Sequence, residues 1–295
     1  MKWSKIVGLI LAAGAFFGCK KNITIEDLRK FAATESYPTD NYLDTIKSKR
    51  ALIIVAHDDD DCAMAGTLVK LKSQGWTIKQ LSLQKHKGRD TLKHPSEIIS
   101  NGNELILEDG LYRLGMDTAA HNAYPLPYSE IELQFFTDKV SDKLIEKISL
   151  FKPSVIFTLD DIKGGYGHPD HVFISKLVLS LATKKLIPCQ RIYQVVYTPH
   201  MENEIVYKWL DHQLKEWNYP NLSVIANQLY HINGMPEPSV QISITQYAQA
   251  KMDYLLAYDE DVRKNIRKFI PYYEEFDAQT YFEIFDREFF RVISF

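Results

Sequence analysis

Ala51-Leu52-Ile53-Ile54-Val55-Ala56-His57-Asp58-Asp59-Asp60-Asp61 is an apolar run that ends abruptly in a histidine and four consecutive carboxylates. The length and β-branched content of the run are those of a buried strand. Cys62 to Leu71 follows with a helical pattern closed by Gly75, and Trp76 to Leu83 alternates as a second strand. Together they predict a right-handed parallel βαβ unit. The acidic run then falls in a strand-to-helix turn, the place where open α/β sheets bind ligands. Adjacent carboxylates repel, and a divalent cation would offset that repulsion, with histidine and aspartate serving as zinc ligands. The other reading is a solvated acidic helix N-terminus favoured by the helix dipole.

The same architecture returns further on. Val155-Ile156-Phe157-Thr158-Leu159 reads as another buried strand, followed by Asp160-Asp161-Ile162-Lys163-Gly164-Gly165-Tyr166-Gly167-His168-Pro169-Asp170-His171 and a helix through Leu181. A histidine and an aspartate from the first turn with one histidine from the second would form a three-ligand zinc site. Three protein ligands leave a position open, as in catalytic zinc. A leftover carboxylate can serve as general base and a leftover histidine can stabilise an oxyanion. The plainer alternative is a polar loop whose histidines are solvated or cap the next helix.

Around these turns, Phe135 to Leu150 is expected as a helix, Arg191 to Thr198 and Val240 to Ile244 as strands, and Gln246 to Tyr258 as a helix. Lys85 to Asn103 reads as a loop and Glu104 to Leu114 as a helix weakened by Gly110. Trp209, Trp217 and several tyrosines suggest aromatic core packing or a sugar-facing surface, with core packing favoured. The fold class is α/β: a Rossmann-like, mostly parallel sheet flanked by helices, forming one catalytic domain with a C-terminal extension.

The 295 residues are 45% hydrophobic and carry a net charge of −3, so no basic excess exists to neutralise nucleic-acid phosphates. GxGxxG and the P-loop pattern are absent, which leaves nucleotide binding without support. The three cysteines, Cys19, Cys62 and Cys189, contain no CxxC pair and read chiefly as free thiols. Met1-Lys2-Trp3-Ser4-Lys5, the apolar run Ile6 to Phe17 and Gly18-Cys19 resemble a bacterial lipoprotein signal with its lipobox. That resemblance implies an exported protein, periplasmic or at the cell surface, held to a membrane by a lipid on Cys19. Residues 1–19 are then the signal, 20–49 a tether leading into the domain, and 50–295 the domain, with 200–295 its less regular part.

The paired motifs carry a further resemblance. Ala56-His57-Asp58-Asp59-Asp60-Asp61 resembles the AHPDDE motif of the LmbE-like (PIG-L) family of metal-dependent N-acetylglucosaminyl de-N-acetylases. Gly164 to His171 is similar to that family's second motif, which ends in HPDH. The resemblance runs from about Arg50 to Leu181, with a weak echo at Lys251 to Asp259. It implies that His57, Asp60 and His171 are metal ligands and Asp59 the general base. It also implies that His168 and Tyr166 act on the tetrahedral intermediate, and that Asp170 orients a histidine ring. Zinc is the implied metal, and ferrous iron suits the same ligands. The implied reaction is removal of an N-acetyl group from an N-acetylglucosamine-type sugar on a glycan or glycoconjugate. Asp58 stands where the family has proline and Asp61 where it has glutamate. The family's arginine-containing motif has no counterpart near Asn101 or Asn103. These departures keep two alternatives open: a glycan-binding lipoprotein without catalysis, and a metal-dependent hydrolase of another amide.

Overall fold

The computed structural model describes residues 23–85, 96–116, 123–216 and 218–295. Cys19 and Trp217, and with them the lipobox reading, lie outside these residues. Among the described residues no helix is long and apolar enough to cross a membrane.

Seven strands form one sheet in the order β3-β2-β1-β4-β5-β7-β6. They are β1 (Arg50–His57), β2 (Thr77–Gln84), β3 (Asn103–Leu105), β4 (Val155–Leu159), β5 (Arg191–Val195), β6 (Val240–Ser243) and β7 (Arg287–Ser294). The first five are parallel; β7 runs antiparallel to both β5 and β6. β1 pairs with β2 from Arg50 opposite Thr77 and with β4 from Ala51 opposite Val155. The chain winds outward from β1 through β2 and β3 on one side, and from β4 through β5 on the other. The β1–β4 junction is therefore the switch point, where a crevice opens at the carboxyl ends of the strands.

Side chains along β1 alternate between two cores. Ile53 and Val55 pack on one face with Leu68 and Leu71 of α1 (Ala65–Ser73) and with residues of the C-terminal helices. Leu52, Ile54 and Ala56 pack on the other with Leu144 and Ile148 of α2 (Thr137–Phe151) and Val172 and Val178 of α3 (Pro169–Thr183). The residues of both sets on β1 are at most 1% exposed, so the continuous apolar run reflects a strand covered on both faces.

Three expectations change. Glu104 to Leu114 is not a helix: β3 extends the sheet edge by pairing Asn103–Leu105 with Gln80–Ser82, and turns follow. Gly110 there holds a positive φ of 64°, which a continuous helix excludes. Of the expected loop before it, residues 86–95 lie outside the described part, and Ser96–Ile99 forms a helical turn. The strand expected over Arg191–Thr198 stops at Val195, and Thr198 instead caps a helical turn by accepting the Met201 N–H.

The C-terminal extension does not stand apart from the sheet. It supplies β6, β7 and the helices α4 (Leu222–Tyr230), α5 (Ala248–Leu256), α6 (Glu260–Phe269) and α7 (Ala278–Ile284). Nor does the described part of the expected tether trail free. Leu28 and Leu43 are buried, Phe31 packs edge-on against Trp209 at 5.6 Å, and the Asp40 N–H donates to the Gln241 carbonyl. Trp209 accordingly serves in packing.

Candidate active site

Both motifs arrive at the β1–β4 switch point. His57 is the last residue of β1, and Asp60 opens the 3-10 turn Asp60–Met64 that leads into α1. Oδ2 of Asp60 accepts the backbone N–H of His57 at 2.8 Å, folding the carboxylate back over the strand end. His168 and His171 come from the start of α3, where His168 is the N-cap and Pro169 the first helical residue.

The loop that delivers them is fixed by its own polar groups. Buried Asp160 accepts backbone N–H groups of Ile162 (3.1 Å), Lys163 (2.6 Å) and Gly165 (2.7 Å). Lys163 is fully buried, and its Nζ donates to Glu202 at 2.6 Å and to the Tyr207 hydroxyl at 2.7 Å. Gly164 has φ +60°, and a Cβ there would lie 2.6 Å from Cβ of His171. Only glycine meets both conditions. Its carbonyl accepts the Nδ1–H of His171 at 2.9 Å, which leaves the lone pair of that ring on Nε2.

Three donor atoms face one another. Nδ1 of His57 is 2.9 Å from Nε2 of His171, Oδ1 of Asp60 is 3.3 Å from Nε2 of His171, and the same oxygen is 3.7 Å from Nδ1 of His57. Ligands about 2.0–2.1 Å from a tetrahedral zinc lie roughly 3.3 Å from each other. The triangle formed by these atoms has that size, so the donor set fits a small divalent cation without rearrangement beyond a few tenths of an ångström.

His168 offers a competing ligand, because one ring nitrogen from each of His57, His168 and His171 lies within 4.8 Å of the other two. Nδ1 of His168, however, accepts the Asp170 N–H at 3.2 Å. In the neutral ring that acceptor role places the hydrogen on Nε2, making His168 a donor toward the site. Burial lowers its pKa well below the ordinary histidine range, with the neighbouring His171 and His57 adding to the effect against Asp170 and Asp60. The neutral Nε2–H form follows.

At His57 the balance is opposite. Burial would lower its pKa, but Asp60 and Asp170 outweigh it and hold the ring well above its usual value. Burial likewise opposes ionisation of Asp60 and is overcome by His171 and His57, which hold it well below the carboxylate range. The site is an electrostatic well for positive charge.

The four aspartates separate clearly. Asp60 lies between the histidines, and Asp59 lines the same cavity. Asp61 is fully buried and turned the other way, accepting the Tyr258 hydroxyl at 3.0 Å. Asp58 is 1% exposed, and its carbonyl accepts from Gln80. Tyr166 also lines the cavity, with its ring edge-on to His171 at 5.2 Å; burial raises its pKa, so its hydroxyl stays protonated. Oδ2 of Asp170 faces Nε2 of His57 at 3.7 Å. Burial opposes ionisation of Asp170, but His57, His168 and Arg113 hold it well below the carboxylate range.

Sequence reasoning missed the residues that hold Asp170. Tyr112 donates its hydroxyl to Oδ2 and Arg113 donates NH1 to Oδ1, both at 2.6 Å. Both residues fall in the stretch expected as helix, and only the fold brings them across to α3.

A parallel sheet with convergent imidazole and carboxylate donors at its switch point defines an α/β protein built around a candidate metal centre. Residues 52–182 match the family model PIG-L: GlcNAc-PI de-N-acetylase. This stretch, less than half of the chain, holds both motifs and is similar to that family. Mycothiol S-conjugate amidase of Streptomyces coelicolor is 42% identical over 55 residues, which is 19% of this chain and only 18% of that protein. Among solved structures, N,N'-diacetylchitobiose deacetylase from Pyrococcus horikoshii aligns at 15% identity over 84% of this chain and 85% of its own, with a TM-score of 0.42. GalB, the 4-carboxy-2-hydroxymuconate hydratase of Pseudomonas putida KT2440, aligns at 13% identity over 83% and 96%, with a TM-score of 0.45. Neither of these two likenesses speaks to chemistry.

Proposed function

We propose that the protein is a metal-dependent amide hydrolase that removes the N-acetyl group from an N-acetylglucosamine-type amino sugar. The observation that carries this reading is the triangle of Nδ1 of His57, Oδ1 of Asp60 and Nε2 of His171, with edges of 2.9, 3.3 and 3.7 Å, opening on a cavity that Asp59 also lines. The family match and the amidase relative support hydrolysis of a carbon–nitrogen bond.

His57, Asp60 and His171 would hold zinc or ferrous iron. Such a cation, when bound, polarises an amide carbonyl and acidifies water. Asp59, adjacent in sequence to a ligand and facing the cavity, takes the proton of the attacking water. His168 donates its Nε2–H to the developing oxyanion, and Tyr166 adds its hydroxyl. The amine then departs with the proton that Asp59 took up. Asp170, anchored by Tyr112 and Arg113, orients His57.

The test measures acetate release from N-acetylglucosaminides, with metal determined on the same samples. Chelation should abolish release, and added zinc or ferrous iron should restore it. Asp59→Asn should retain metal and lose about 10² to 10⁴ in rate. A metal-loaded parent that releases acetate from none of these sugars would instead favour a glycan-binding protein.

We propose further that Cys19 is the lipid-bearing first residue of an exported protein, on the basis of the basic, apolar, small-residue and cysteine order before it. Cys19→Ala should change the mature mass and release the protein from membranes. Unchanged mass and fractionation would reject the lipobox.

A further inference from the structure

The cavity over the candidate centre has a volume of about 590 Å³. That lies within the roughly 300–1,000 Å³ of sites that enclose drug-sized ligands, and it exceeds what an acetamido group requires. Its floor is polar, with His57, Asp59, Asp60 and His171. The wall contributed from beyond β5 has a different chemistry. Among the described residues, Leu210, Leu214, Leu222, Met235, Ile266 and Phe269 contribute to it from the helices and loop beyond β5.

Polar side chains share that lining: Lys268 donates Nζ to the Asn265 side chain at 2.9 Å, Tyr219 and Ser223 border the cavity, and Asn221 is held by backbone. Nδ2 of Asn221 donates to the Val206 carbonyl at 2.8 Å, and its Oδ1 accepts the Ser223 N–H at 3.0 Å. A sugar hydroxyl set against Leu210, Leu214, Met235 and Ile266 without a partner would cost roughly tenfold or more in affinity. An alkyl or aryl group would gain from the same surroundings. The wall is also built in advance. Tyr197 donates its hydroxyl to the Phe269 carbonyl at 2.7 Å, Trp209 donates to the Arg267 carbonyl at 3.1 Å, and the Phe269 ring packs on Tyr166 at 4.9 Å. The end of α6 is thereby tied to the loop after β5 and to the helix that carries Trp209.

We propose that this wall receives an apolar arm of the substrate, so that the protein acts on an amphipathic amide and not on a plain polysaccharide. The arm is an alkyl or aryl group carried either on the acyl side of the amide or on the aglycone of the sugar. The proposal rests on the deacetylase reading for where the amide sits, while the chemistry of the wall stands independently of it.

Two substrate series separate the sources. One is N-acetylglucosaminides with methyl to octyl aglycones; the other is methyl glucosaminides with acetyl to octanoyl on nitrogen. Release of carboxylic acid and affinity by calorimetry are measured on both, using the metal-loaded full chain. In one series kcat/KM and affinity should climb about threefold to fourfold per methylene, as expected for about 0.8 kcal/mol per buried CH₂. Leu214, half-buried on the wall, provides the variant. Leu214→Asn should cut the ratio of long-chain to short-chain affinity at least fivefold. Affinity that climbs without acid release would keep the apolar site and reject the deacetylase reading. Release that is indifferent to chain length in both series, or a ratio unmoved by Leu214→Asn, would overturn the proposal.

Discussion

Tyr258 donates its hydroxyl hydrogen to Oδ1 of Asp61 at 3.0 Å, joining residues 197 positions apart in the sequence. The bond turns Asp61 away from the cavity and leaves Asp60 as the carboxylate between the histidines. Tyr254 extends the chain, with its hydroxyl 2.6 Å from that of Tyr258. The run of four aspartates thus divides by partner: one reaches into the core, and its neighbour stays at the strand end.

Tyr258→Phe removes the donor and keeps the ring. Hydrogen bonds to charged groups contribute about 1.5–3 kcal/mol. Urea unfolding should show a loss of that order, with metal content unchanged. Loss of metal in Tyr258→Phe would mean that Asp61 belongs to the centre.

Arg113 and Asp170 form an ion pair at 2.6 Å, with side chains 5% and 0% exposed. Arg113→Met leaves the buried carboxylate of Asp170 with the Tyr112 hydroxyl as its chief remaining anchor on that side. Breaking a buried pair by removing one partner costs about 3–5 kcal/mol. Denaturant unfolding should register it. A stability loss below about 1 kcal/mol would show that the pair is solvated in solution.

Gly164 aims His171 through its carbonyl and has no room for a Cβ. Gly164→Ala should therefore act on the centre through the backbone. Loss of a group that orients a metal-ligating histidine typically costs 10- to 100-fold in metal affinity, and a drop of at least that size is expected by competition with a chromogenic chelator. Wild-type affinity in Gly164→Ala would show that His171 does not depend on this turn.

The two motifs were legible because each is local: an apolar run buried on both faces, then ligand-type residues within one turn. β1, β2 and β4 follow from local apolar pattern, and the strand-end position of both turns puts them on one rim of a parallel sheet. The rest depends on partners distant in sequence. Glu288 of β7 accepts the N–H groups of Gly66 (2.8 Å) and Thr67 (2.7 Å) and pairs with Lys251 at 2.7 Å, capping the start of α1 from the far end of the chain. Nothing near Glu288 in the sequence announces that role. Arg113 escaped for the same reason: its place is set by Asp170, 57 residues away. β3 was hidden because a three-residue edge strand has too little pattern to oppose the helical reading of Glu104 to Leu114.

The most direct test of the account is metal stoichiometry in three proteins prepared alike: the parent, Asp60→Ala and His168→Ala. One divalent ion per chain is expected in the parent, little in Asp60→Ala, and nearly full occupancy in His168→Ala, whose Nδ1 is committed to capping α3. The reverse pattern, with metal kept in Asp60→Ala and lost in His168→Ala, would establish a three-histidine centre and contradict the ligand set on which the proposed chemistry depends.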